Sequence, residues 1–118
     1  MRHPEIVKVD IEAAASLSGE IRIADFRHFG IIIPDEWTAA NLTIQIATRS
    51  TADGGVFKNL HDDAGNEVVI TAAAGRAISI DAVFYKLAPW SYIRFRSGTN
   101  ALPVAQAAKR SITLVMKG

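Results

Sequence analysis

Short runs in which apolar and polar residues alternate recur along this chain, and they constrain its fold more than any other feature. From Ile6 to Ile11 the order puts Val7, Val9 and Ile11 on one face and Lys8 and Asp10 on the other. A period of two is that of a half-buried strand, whose successive side chains leave opposite faces of a sheet. Glu20–Phe26 repeats it, with Ile21 and Ile23 against Arg22 and Ala24. Leu42–Ala47 does so again, with Leu42, Ile44 and Ile46 against Thr43, Gln45 and Ala47. Phe29–Ile33 is a continuous run closed by Pro34 and reads as a strand buried on both faces. Val56–Leu60, Glu67–Thr71, Arg76–Ile80, Tyr92–Arg96 and Ile112–Met116 complete the set.

The runs recur about every 8–12 residues, the spacing of an antiparallel sandwich or barrel. Turn formers separate them: Pro34-Asp35, Asp53-Gly54-Gly55, Asp62-Asp63-Ala64-Gly65-Asn66 and Gly98-Thr99-Asn100. Ala72–Gly75 reads as a hairpin connection. Only Asp10–Ser16 and Asp81–Leu87 have helical character, and both are too short to anchor an α/β fold. Thr99–Lys109 is a long alanine-rich connection containing Pro103, of the kind that is functional or packed by its own side chains. The expectation is therefore an all-β chain, a single antiparallel β-sandwich of about eight strands with at most short helical turns. At 118 residues it makes one domain, 1–118. Residues 1–15 are expected as an N-terminal arm, because strand Ile6–Ile11 could add to the sheet edge of another subunit.

Charge and residue usage exclude several functions. Thirteen basic residues against twelve acidic ones leave a net charge of +1, which argues against a nucleic-acid partner, whose affinity would rest on neutralising phosphates. There is no cysteine, hence no disulfide scaffold, thiolate zinc site or cysteine nucleophile. The opening MRHPEIVKVDIE has no apolar core of a signal peptide, and the apolar runs are far too short for membrane insertion. His3, His28 and His61 lack metal-ligand spacing, and no serine lies in a nucleophile elbow. Asp62–Glu67 lacks the alternating ligands of a calcium loop and reads as a solvated hairpin turn. No catalytic residue, metal or cofactor is expected.

Pro89–Arg96 carries the candidate site. Alternation puts Trp90, Tyr92, Arg94 and Arg96 on one face, with Ile93 and Phe95 on the core side. Aromatics and arginine are enriched at interface hot spots, and they also suit sugars, with rings stacking on the pyranose and arginine bonding hydroxyls. The plainer alternative has Trp90 turned back into the core and the arginines merely solvated. Trp37 follows a buried strand and is expected to pack over one end of the sandwich.

Four segments add a resemblance: W-T-A-A-N-L-T at Trp37–Thr43, D-D-A-G-N-E-V at Asp62–Val68, I-R-F-R-S-G-T at Ile93–Thr99 and the ending at Pro103–Val115. From about Phe29 onward the chain resembles a family of small structural proteins of tailed bacteriophages and prophages. The resemblance implies a jelly-roll sandwich in the virion, synthesised in the host cytoplasm, acting as a capsid decoration, neck or head/tail spike module. It implies protein partners (capsid, portal or tail components) and a homo-oligomer, since virion modules assemble symmetrically. A carbohydrate-binding module for host surface glycans is the alternative, and a small hydrolase a distant third.

Overall fold

The computed structural model describes residues 4–80, 87 and 89–118. His3 and most of the helical candidate Asp81–Leu87 lie outside them. Among the described residues nine strands follow in chain order: β1 Glu5–Ile11, β2 Ile21–Arg22, β3 His28–Ile32, β4 Leu42–Ala47, β5 Lys58–Asn59, β6 Val69–Ile70, β7 Ala77–Ser79, β8 Tyr92–Ser97 and β9 Arg110–Lys117. Each falls within or over one of the alternating runs. Two antiparallel sheets result, one ordered β1-β9-β3-β7 and the other β2-β8-β4-β5, with β6 sharing the free side of β4.

The pairing follows one long ribbon. β1 pairs β9, β2 pairs β8, β3 pairs β7, and β4 pairs the interrupted strand β5/β6. Folding that ribbon over itself sends successive strands to opposite sheets, and β3–β9 and β4–β8 then join its two halves. This is the jelly roll, two Greek keys packed face to face. At the ribbon's tip a 3-10 turn, Thr51–Asp53, is capped by the Ser50 hydroxyl, which accepts from the Asp53 amide. Gly55 follows because a Cβ there would lie 1.9 Å from the Arg49 carbonyl oxygen.

The inward positions make one core. Val9, Ile11, Phe29, Ile31, Ile112 and Leu114 from the first sheet meet Leu42, Ile44, Ile46, Ile93 and Phe95 from the second, and all are buried. Burial of this kind stabilises by about 1.5–3 kcal/mol per large apolar side chain.

Four expectations need correction. Phe29–Ile33 is not buried on both faces: Phe29, Ile31 and Ile33 are, but Ile32 is 43% exposed, because each sheet of a two-layer sandwich has only one covered face. Ala72–Gly75 is no hairpin, since β6 belongs to one sheet and β7 to the other and the segment crosses between them. Asp10–Ser16 is not helical. β1 runs through Ile11, and the chain then turns, with the Ala15 amide donating to the Glu12 carbonyl. The N-terminal arm is folded back: β1 pairs β9 of its own chain from Glu5↔Met116 to Ile11↔Arg110.

Candidate functional site

Strand β8 supplies the second sheet with both its core and its outer face. Ile93 and Phe95 point inward and are fully buried, so Tyr92, Arg94 and Arg96 point outward. The register then sets their neighbours. Gln45 of β4 lies opposite both Arg94 and Asn59, and Thr43 lies opposite Arg96. A polar row crosses three strands. Arg94 Nε donates to Gln45 Oε1 at 2.6 Å, and Gln45 Nε2 donates to Asn59 Oδ1 at 3.0 Å. The Arg94 guanidinium lies over the Phe57 ring, 4.6 Å from its centre, a cation–π stack. Partial burial and the neighbouring positive Arg96 pull the Arg94 pKa down, while Glu20 acts in the opposite sense.

Arg96 is neither an open binding side chain nor the solvated arginine of the plainer alternative: it is 4% exposed. Both of its terminal nitrogens donate to Asn59 Oδ1, and Nη1 also reaches Asn100 Oδ1 at 3.4 Å. Its counter-ion is Glu67, 3.9 Å away, whose carboxylate also accepts the Asn100 amide at 3.2 Å. Leu17 pairs alongside Arg96 beyond the end of β2, held by the Ser18 amide donating to the Phe95 carbonyl and the Ser97 amide donating to the Ser16 carbonyl. Arg96 Nε is left without a partner. The arginine thus ties the hairpin between β5 and β6 and the loop after β8 onto the sheet.

Trp90 does not join the patch. It precedes β8, and its amide donates to the Leu87 carbonyl. The ring packs half-buried against the core at the sandwich end. There it lines a cleft of about 630 Å³ with Asp25, Phe26, Arg27 and His28. Trp37 sits at the opposite end, also half-buried on the core, its Nε1 donating to the Ala40 carbonyl at 3.1 Å. Of the face expected to hold Trp90, Tyr92, Arg94 and Arg96, only Tyr92 and Arg94 remain partly open, joined by Phe57, Gln45 and Asn59. Strand alternation assigns Gln45 to an outer face, but pairing with Asn59 depends on a register that sequence spacing does not set.

Among the described residues no three His, Cys, Asp or Glu side chains come together as metal ligands. In the acidic turn, Asp62 Oδ1 accepts the amides of Ala64 and Asn66, so that carboxylate closes its own hairpin.

Fold and site together define a small jelly-roll β-sandwich with a polar, aromatic-flanked outer face. No protein-family model matches the chain, and no curated protein matches it in sequence. Among solved structures it is similar to the crystal structure of the SPBc2 prophage-derived protein YomS, at a TM-score of 0.55 and 14% identity. The likeness spans 98% of this chain and 96% of that one, and at such an identity it establishes the fold.

Proposed function

We propose that the chain is a structural component of a tailed-phage virion, a capsid decoration, neck or spike module that acts by binding other particle proteins. One observation carries this reading: the jelly roll matches a prophage-derived protein from end to end, with almost nothing left over in either chain. The phage-like segments in the sequence point the same way. Two-sheet jelly rolls suit such work because their rigid sheets hold outer faces and end loops in fixed positions for docking. Mixing the purified chain with particles, or with isolated heads and tails, and sedimenting them tests it. Saturable co-sedimentation with one of these fractions is expected, and failure to sediment with any of them would overturn the reading.

The Arg94–Phe57 stack beside Tyr92 favours a second reading, a glycan-binding face. An aromatic edge next to a planar donor suits a sugar ring and its hydroxyls. Retention on a glycan array that disappears in Arg94→Ala and Tyr92→Ala would support it. An array with no retention removes it.

A further inference from the structure

The sheet borders of this protein are treated unequally. β7 closes one side of the first sheet with three residues, and β2, β5 and β6 border the second with two each. Very short edge strands are one way natural proteins prevent chains from pairing edge to edge. β1 is the exception among the described residues: seven residues in regular extended pairing, on the border of its sheet.

The direction of its free backbone groups is set. The Asp10 carbonyl accepts from Gly19, on the side away from β9. Backbone groups alternate sides along an antiparallel strand, so Ile6 and Lys8 also turn their N–H and C=O outward, while Glu5, Val7 and Val9 bond to β9. Beyond Val9 the edge is already taken, by Gly19 on Asp10 and by the Ile11↔Ser18 bridge. The open length is Glu5–Val9. It faces a groove of about 410 Å³ whose far wall is Gly19–Arg22. Val7 and Ile21 point toward the core yet remain half-exposed there, and outward-facing Ile6 is 63% exposed.

We propose that β1 is a self-association edge, at which two copies add antiparallel about a two-fold axis passing between their Val7 residues. The register centred on Val7 uses every outward N–H and C=O of Ile6 and Lys8, whereas one centred on Ile6 would set Lys8 against the partner's Pro4, which has no N–H to donate. Ile6 pairs with the partner's Lys8, and Lys8 with the partner's Ile6, each pair exchanging both backbone bonds. The two Val7 residues form the non-bonded pair between them, where side chains approach most closely, and cover the open side of the groove. Lys8 leans away toward β9, its Nζ donating to Thr113 at 2.6 Å, so its charge is held clear of the partner's Ile6. The register centred on Lys8 sets like charges opposite each other and requires the occupied Asp10 carbonyl. The one centred on Val9 needs residues beyond the bridge. The occupant is therefore a second copy of this chain, and the product is a sheet continuous across the dimer.

Two variants test this. Lys8→Pro removes a backbone amide that points away from β9, together with the exposed Nζ–Thr113 bond, so the internal backbone ladder survives, as at tolerated edge prolines. It is expected to weaken dimerisation by about tenfold or more through the lost intermolecular bonds. Val7→Cys places the chain's sole thiol on the proposed axis. Mild oxidation is expected to link it into a disulfide dimer, whereas Ile6→Cys, whose partner position is Lys8, links far more slowly. Sedimentation of the full chain across the micromolar to millimolar range reads the first, and non-reducing electrophoresis the second. A wild-type chain that stays monomeric throughout overturns the proposal, as does a Val7→Cys chain that links no faster than Ile6→Cys.

Discussion

Arg96 shows what a single residue contributes here. Its guanidinium is enclosed, yet it holds Asn59, Asn100 and Glu67 from three separate segments. Removing one member of such a set leaves the others desolvated and unpaired. Arg96→Ala is expected to cost about 3 kcal/mol in urea unfolding, and Arg96→Lys to recover only part of that, since an ammonium lacks the planar fork that reaches two acceptors. The opposite face of the molecule offers a pH-dependent contrast. The Ser111 hydroxyl, donating to Asp10 at 2.6 Å, holds that carboxyl below its usual range, and the Lys109 ammonium at 3.5 Å adds to the effect. A carboxyl with a lowered folded-state pKa stabilises above its unfolded value and loses that contribution as pH falls through the folded one. Asp10→Asn should therefore flatten the acid limb of the stability curve as pH falls below the ordinary aspartate pKa of about 4. The change should be only a few tenths of a kcal/mol, roughly, because the pair is solvated. Alternation in Tyr92–Arg96 is enough to sort Ile93 and Phe95 from Tyr92, Arg94 and Arg96. It says nothing of Leu17, Asn59 and Glu67 closing over Arg96, because those residues arrive from distant segments.

Among the elements, the strands were legible and their connections less so. The runs became the nine described strands because a period of two can bury one face and solvate the other only in a sheet. Their lengths differ from the runs. Glu20–Phe26 shrinks to Ile21–Arg22 because the chain turns after Ile23, with the Phe26 amide donating to the Ile23 carbonyl. Ala72–Gly75 looks like a hairpin in sequence because sheet membership leaves no local trace. The long loop after β8 is packed by its own side chain, Gln106, which is 1% exposed. Gln106 accepts the Thr38 amide at 2.9 Å and donates to the Thr38 carbonyl at 3.0 Å and the Ser97 hydroxyl at 2.7 Å, pinning this loop to the β3–β4 connection. Gln106→Leu is expected to cost about 2 kcal/mol by orphaning these groups, and to speed hydrogen exchange at the Thr38 amide. Gly98 opens the same loop at φ +87°, where a Cβ would lie 2.5 Å from the Leu102 carbonyl oxygen. Gly98→Ala should lower the unfolding midpoint, at a cost of at least about 2 kcal/mol from the left-handed backbone and the contact together.

For the whole molecule, one core between two sheets carries the stability, since no cysteine is present to staple it. Phe95 is central to that core and fully buried, so Phe95→Ala should remove about 3–5 kcal/mol in denaturant unfolding. Strand spacing foretold the antiparallel sandwich but not the order in which its strands pair. The order β1-β9-β3-β7 against β2-β8-β4-β5 is a property of long-range pairing. The same order leaves β1 as the long free edge and the Arg94 face as the open polar surface, two places where a rigid module can meet neighbours. On the virion role proposed above, those neighbours belong to a phage particle. Quantitative mass spectrometry of particles banded to homogeneity tests this most directly. A virion component is expected at a fixed copy number relative to the major capsid protein, retained through a second banding. A chain found only in the soluble fraction, and absent from the banded particles, contradicts it.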